Sequence, residues 1–485
     1  MGVSRNTGRG RERGALVLVA CAMIVGIGGR IAWSQQPAGD AAADRQLKAG
    51  VAQRDITPTE PMPMWGYGAR HAALSQGVIE PLLAKALVLQ VGRQKIAIVA
   101  LDLGRGPTPA MMERIRRGAA DLGIQLVLAC GSHTHHGPVI ELTDRDQFGR
   151  GTFDAAVAYA QRLPDSILAV IAEAHERLTP AALSVAARET SLNRNRQSKR
   201  PSKMTDPTLT VVRIDRAETT TPRTPLAVLV NFAAHPVMTS GAILKYSPDF
   251  VGSLRRHVEE SLGGECLFLQ GAAGDMSPNS PPGVNGPEAF GAHLAEQVAQ
   301  LAQEAGLVTA EPALAHRSET FRFGTRIDLG SPLLSLMFER AFFPELVHNL
   351  LEEYRDGLCP EMNAVLVGQE LAIVTGSGEF FSGHARRLRE RAYFPHVLFL
   401  GYCNGHHMYF PTIEAVSEGG YGADFTVSPV EVGAGEQVMN RALLDLYLLS
   451  GKIAQEQKAP TSLPGLTVPG PTSPGLTAPP ERVGP

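Results

Sequence analysis

The chain has 485 residues, 44% of them hydrophobic and 19% charged, with a formal net charge of −3. That length and apolar content suit a globular protein with ample core, one large α/β domain or two ordinary ones. The near-neutral balance gives no electrostatic basis for nucleic acid as a partner, which calls for a concentrated basic face.

In chain order, Arg5, Arg9, Arg11 and Arg13 precede an apolar run from Ala15 to Gly29, and Ala32-Trp33-Ser34 follows with small residues at the cleavage-site positions. This is the pattern of a secretory signal over residues 1–34. It predicts an exported protein, periplasmic or extracellular, or one held at the membrane by a retained N-terminal anchor. The run is short against the roughly 20 apolar residues of a spanning helix. A polar, Ala-rich linker covers residues 35–47.

The ordered domain is expected over 48–453. Ala84 to Gln90 and Lys95 to Leu101 are apolar runs joined by Val91-Gly92-Arg93-Gln94, a predicted β-hairpin. Pro109 to Leu122 reads as helix, Ile124 to Cys130 as a buried strand, and Phe153 to Arg177 as a long helix. Leu183 to Ala187, Leu209 to Ile214, Leu226 to Phe232 and Cys266 to Leu269 have strand length, interleaved with helices over 248–262 and 287–305. Leu371 to Val374 and Val397 to Leu400 are further strands, with a basic helix between them, and 430–449 closes the domain as helix. Strands alternating with helices predict the α/β class: a single large catalytic domain around a mixed β-sheet flanked by helices. The Pro/Gly/Thr-rich stretch 454–485 cannot pack a core and is expected as a disordered tail. Cys130, Cys266, Cys359 and Cys403 show no metal or disulfide spacing, and packing in the core is the expectation for three of them.

Chemistry-bearing residues recur immediately after the strand-like runs. His133 and His135 place two imidazoles on one side of an extended segment, a common presentation to zinc, although such pairs also occur in ordinary loops. His235 follows the run ending at Phe232 and reads either as a ligand or as a structural histidine. Glu379, in Gly378-Glu379-Phe380, is a carboxylate that a metal would satisfy, as would Arg386 or Arg387. Ser277 reads as a nucleophile or as a turn residue before proline, Tyr409 as a ligand or a rim aromatic, and Arg194 carries little alone. Open α/β sheets gather such groups at the carboxyl ends of their strands, so the pattern predicts a metallohydrolase. The basic stretch 194–203 reads either as a solvated loop or as a surface for anionic lipid.

Taken together, Ser132-His133-Thr134-His135-His136-Gly137-Pro138, Leu192-Asn193-Arg194, Ala234-His235-Pro236, Gly274-Asp275-Met276-Ser277-Pro278-Asn279, Gly378-Glu379-Phe380 and the Asn404 to Tyr409 segment resemble the neutral/alkaline non-lysosomal ceramidases, zinc amidases that cleave the N-acyl bond of ceramide. The matched motifs keep the family's order over roughly residues 48–450. The resemblance implies His133, His235, Glu379 and Tyr409 as ligands of one Zn2+ per chain, His135 as the second histidine beside the metal, and Ser277 and Arg194 as active-site groups. It implies an N-acyl lipid substrate, cleaved by metal-activated water, and association with a membrane surface. The chain departs from the family's pattern at Val139, at His406 and His407, and in the basic stretch after Arg194. Nothing after Leu449 can form the family's C-terminal β-sandwich. A metallohydrolase with another small amide or ester substrate, and an idle lipid-binding envelope protein, remain as alternative readings.

Overall fold

The structure, a computed structural model, describes residues 46–217, 224–308 and 311–454. The N-terminal targeting segment, most of the linker and the tail beyond residue 454 lie outside the described residues. The first third comprises β1 (Leu47–Asp55), β2 (Leu83–Val91), β3 (Gln94–Leu101), α1 (Pro109–Asp121), β4 (Leu126–Gly131) and α2 (Asp154–Glu176). The middle contains β5 (Thr179–Glu189), β6 (Asn193–Asn195), β7 (Thr208–Arg216), β8 (Pro225–Phe232), α3 (Phe250–Leu262), β9 (Glu265–Gln270), β10 (Met276–Pro278) and α4 (Gly286–Glu304). The last third adds β11 (Gly306–Leu307), β12 (Leu314–Thr320), α5 (Pro332–Ala341), α6 (Pro344–Glu353), β13 (Glu361–Val367), β14 (Leu371–Thr375), β15 (Glu379–Phe380), α7 (Ser382–Ala392), β16 (His396–Leu400), β17 (Tyr409–Phe410), α8 (Ile413–Glu418) and α9 (Ala434–Leu449).

Two mixed sheets carry the fold. The larger runs β4-β3-β2-β1-β5-β7-β8-β9, with β11 added to β5, and the smaller runs β12-β13-β14-β16. Parallel pairs occur at β3–β4, β8–β9 and β14–β16, and the remaining neighbours in these two sheets are antiparallel. The predicted hairpin is β2–β3, in register from Ala84 opposite Leu101 to Val91 opposite Gln94.

Side-chain alternation explains the layers. On β3, Ile96 and Ile98 join one apolar cluster with Val365, Ile373 and Leu398 of the smaller sheet, so the two sheets pack face to face. The alternate residues Ala97, Val99 and Leu101 face away, onto Met112 and Ile115 of α1 and Leu163 and Ile167 of α2. Val228, Val230 and Phe232 of β8 pack likewise on α3 and α4. Ala372 and Val374 of β14 pack on α7 and α9. The expected α/β class holds, with a second sheet completing a helix–sheet–sheet–helix arrangement. Because both faces of these strands are buried, they read as continuous apolar runs rather than as alternating ones. Helix α1 starts where its sequence signals it should: Thr108 caps the N-terminus by accepting from the Met111 amide, with Pro109 in the first turn. No helix among the described residues is long and apolar enough to cross a membrane.

Candidate metal centre

Each site segment leaves the carboxyl end of a strand and is fastened there by backbone bonds. After β4, the Ser132 amide donates to Leu101 O (2.7 Å) and the His133 amide to Leu103 O (2.9 Å). His133 itself sits at φ 68°, an uncommon conformation for a bulky residue. Gln270, ending β9, ties two histidine segments together: its Nε2 donates to Ser132 O (3.0 Å) and Ala234 O (2.8 Å). Asn404 clamps the fifth segment to β4, accepting from the Ala129 amide and donating to Val127 O, both at 2.8 Å. The parallel pair β15–β17 sets Glu379 directly beside Tyr409. At Gly274 the chains approach so closely that a Cβ would lie 2.5 Å from Glu379 O.

These attachments bring one cluster of side chains together. His133 Nε2 lies 3.1 Å from His235 Nε2 and 3.3 Å from His135 Nε2. Glu379 Oε2 is 3.3 Å from His133 Nε2 and 3.2 Å from His235 Nε2. The donor atoms of His133, His135 and His235 lie within 4.8 Å of one another, as do those of His133, Glu379 and His406. Tyr409 joins through Arg196, whose Nη2 donates to the phenol oxygen (3.1 Å), to Gly274 O (3.1 Å) and to His235 Nε2 (2.7 Å).

The chemistry of this donor set fits a divalent cation. His133 Nδ1 is 2.7 Å from Gly104 O and His235 Nδ1 is 3.1 Å from Met276 O. Those carbonyls place the ring hydrogens on Nδ1 and leave both Nε2 lone pairs turned toward each other and toward a carboxylate oxygen. Arg196 meets His235 Nε2 from one side, but the contacts among the two Nε2 atoms and the Glu379 oxygen remain repulsive unless positive charge sits among them. Burial, reinforced by Arg196 and His133, pushes the His235 imidazole down to about 3, and burial likewise lowers His135 well below the usual range. For Glu379, burial favours the neutral acid, but the electrostatic attraction of the His133 ring and hydrogen bonds from His133, His235 and His406 outweigh it and hold the carboxyl well below its ordinary value. A proton or a metal ion at the Nε2 atoms meets the same demand. His135 Nδ1 is buried beside the cluster without a hydrogen-bond partner among the described residues. Burial and the Glu379 charge raise the Tyr409 phenol well above its ordinary value, while Arg196 works the other way.

Of the residues singled out from sequence, the structure gathers His133, His135, His235, Glu379 and Tyr409. It does not bring in Arg194 or Ser277. The two face each other in the β6–β10 ribbon, where Arg194 is exposed and its side chain bonds, among the described residues, only Pro278 O (3.4 Å). The Ser277 hydroxyl makes no hydrogen bond among the described residues, whereas its neighbour Met276 orients His235. The guanidinium at the cluster is that of Arg196. Asn195 produces the difference: its Oδ1 accepts from the amides of Gln197 and Ser198 (2.9 and 2.8 Å), and the resulting turn aims Arg196 inward. A polar residue two positions before an amide-rich turn was the available signal. Asp275 holds this turn against α7, accepting from Asn195 Nδ2 (2.7 Å), the Ser382 amide (2.7 Å) and the Ser382 hydroxyl (2.9 Å). Burial raises its carboxyl to about 6 although the Ser382 bonds oppose the shift.

His406 is the other group whose place was not foreseen. Its Nε2 is 3.4 Å from Glu379 Oε1, and Trp65 packs edge-on against His133, His135 and His406. His407, by contrast, is structural: its Nδ1 bonds Ser377 O (3.0 Å) and its ring stacks on Tyr354. Groups that orient a ligand carboxylate commonly change metal affinity 10–100-fold when removed. His406→Leu is therefore expected to weaken metal binding by about tenfold with little change in melting temperature, read by competition with a chelator.

The cluster forms the floor of a cavity walled by Trp65, Tyr67, Phe342, Phe343, Leu346 and Met408. Behind that wall, buried Arg105 forks onto Glu353 (2.8 and 3.1 Å) and reaches Glu141 Oε1 (3.4 Å), which also accepts from Trp65 Nε1 (3.0 Å). An apolar shaft ending on a buried polar cluster suits a substrate with a hydrocarbon part and one polar reacting group.

The profile of the family described as "Neutral/alkaline non-lysosomal ceramidase, N-terminal" matches residues 47–293, half of the chain. The chain belongs to that family. A neutral ceramidase of Mycobacterium tuberculosis (strain ATCC 25618 / H37Rv) is 29% identical over 280 residues, which is 50% of this chain and 41% of the relative's length. The chain thus matches less than half of that relative. The crystal structure of neutral ceramidase from Pseudomonas aeruginosa superposes with a TM-score of 0.65 at 20% identity, over 84% of this chain and 75% of that one. A structure described as ceramidase complexed with C2 gives 0.65 at 19% identity, covering 86% and 77%. At these identities the superpositions establish a shared fold.

Proposed function

We propose that this ceramidase-family protein is a zinc-dependent amidohydrolase that cleaves the N-acyl amide bond of ceramide or a related N-acyl lipid. The observation that carries the reading is the convergence of His133, His235, Glu379 and Tyr409, the last two of which line a largely apolar cavity together with His135. Zinc suits two imidazoles, a carboxylate and a phenol oxygen with a position left open for water. When bound it would lower the pKa of that water toward ~7 and polarise the amide carbonyl.

The chain's own residues supply the rest. The Gly104 and Met276 carbonyls fix the tautomers of His133 and His235, so that both offer Nε2 as ligand. His135, kept neutral by burial, is placed to accept at Nε2 the proton given up by the attacking water and to return it to the departing amine. Arg196 stands at the Tyr409 oxygen, where a guanidinium stabilises the negative charge that develops on the carbonyl oxygen. Phe342, Phe343 and Leu346 offer the acyl chain a water-poor wall. In this reading Ser277 and Arg194, paired in the β6–β10 ribbon, do not touch the reacting atoms. The N-terminal segment directs export, so the site works outside the cytoplasm or at the membrane.

Purified protein is expected to carry about one zinc per chain by elemental analysis and to release fatty acid from a ceramide with a fluorescent acyl group. His133→Ala is expected to abolish both. A correctly folded wild-type protein that carries no metal and releases no fatty acid would instead establish the idle lipid-binding reading.

A further inference from the structure

We propose that helix α5 is a bilayer-docking element, laying its exposed apolar face on a lipid surface so that the cavity opens into the membrane. The proposal rests on the N-acyl-lipid reading of that cavity. Leu333, Leu336 and Met337 stand at i, i+3 and i+4 on one face, 69%, 45% and 55% exposed, and no residue of the helix is buried. A ten-residue helix normally turns such a face to the core. Here the described residues leave it to solvent, and exposed apolar patches of this kind mark interaction sites.

Position identifies the partner. α5 runs directly into Phe342 and Phe343, which wall the cavity above Glu379, His406 and Tyr409. Another part of the rim is Tyr421, 62% exposed, with Phe425 nearby at 52%. Arg326 joins the two parts: its amide donates to Pro429 O (2.7 Å) and its Nη1 to Ala423 O (3.0 Å), a few residues before α5 begins. The chain entering α5 is thereby fastened to the Tyr421 side of the mouth, as its end is to the Phe342–Phe343 wall. A protein partner seated there would stopper the mouth. A bilayer would not, because its own acyl chains and N-acyl lipids would meet the opening.

The charge at the rim is also that of a lipid-facing surface. Arg340 is exposed in the last turn of α5. Gln197 Nε2 donates to Gly419 O (2.5 Å), which ties the basic loop to the Tyr421 segment. In that loop the side chains of Lys199 and Lys203 are exposed and form no ion pair among the described residues, while Glu418 is taken up by Arg200 (3.4 Å) and the Lys199 amide. Such cations beside an interfacial helix attract anionic headgroups.

The test uses the full chain, with an NBD fluorophore on Leu336→Cys and, as control, on Arg117→Cys of α1. On addition of phosphatidylcholine vesicles containing phosphatidylglycerol, emission at position 336 is expected to shift to the blue and that at 117 to stay unchanged. Because the probe is local, binding through the N-terminal segment alone leaves position 336 unshifted and overturns the proposal. An emission already blue without vesicles and unmoved by them overturns it too, since protein then covers the face. In a second measurement the L333S/L336S/M337S variant is expected to match wild type on a short-chain, monomeric N-acyl substrate and to lose at least about tenfold on the same headgroup embedded in vesicles. Equal rates on both substrates count against docking. If wild type cleaves neither substrate, the N-acyl reading fails, and the fluorescence shift still decides whether α5 inserts.

Discussion

Glu379→Gln is expected to lower turnover by about a thousandfold, equivalent to about 4 kcal/mol of barrier, while leaving the fold intact. Among the described residues the carboxylate is the only anionic side chain in contact with His133, His235 and His406, so its charge does most to bind a dication there. Gln has nearly the same shape, and its amide nitrogen can donate to one of the facing Nε2 lone pairs. The variant therefore relieves the acceptor crowding that wild type resolves with positive charge, and its melting temperature without metal should equal or exceed wild type. Metal content should fall in parallel with activity. Circular dichroism, elemental analysis and fatty-acid release on the same preparation separate these effects. Full turnover in a metal-loaded Gln variant would overturn the mechanism in which the Glu379 carboxylate holds the metal.

Sequence and structure agree best where burial is two-sided. Runs such as Lys95 to Leu101 and Leu226 to Phe232 are apolar throughout because one face meets the second sheet and the other meets helices. Continuous apolarity of strand length is then informative, and the residue just beyond each run marks a strand end. His133 and His235 were legible for that reason. The segment 306–361 was not. Strand β12 is half exposed and lacks the periodicity of a buried face, and α5 carries a helical apolar spacing over only ten residues and turns it outward. Facing sheets were also beyond reach, since each strand's pattern is the same whether a helix or a sheet covers it. His406 stood out only as a departure from the family's pattern, because its partner Glu379 is 27 residues away along the chain.

The arginine offers the sharpest separation of sequence from structure. Arg196→Met is expected to cost about a hundredfold to a thousandfold in kcat with a smaller change in KM, whereas Arg194→Met should remain within about twofold of wild type. Both residues lie in one Asn-Arg-Asn-Arg stretch, and a strand would point both to the same side. The strand ends at Asn195, and the turn closed by that side chain sends Arg196 to Tyr409 while Arg194 stays at the surface. Burial and Glu379 hold the Tyr409 phenol protonated, and Arg196 opposes them. Removing the guanidinium should therefore shift the pH at which activity rises to higher values, because a phenol oxygen is a good metal ligand only when it shares charge with a nearby cation. Asn195→Ala supplies the companion test. It leaves Arg196 in the chain but opens the turn, and should reproduce most of the kcat loss with the same displaced pH profile. An Asn195 variant with wild-type kcat would mean that Arg196 reaches the cluster without the turn, and the account of how this loop builds the site would have to be abandoned.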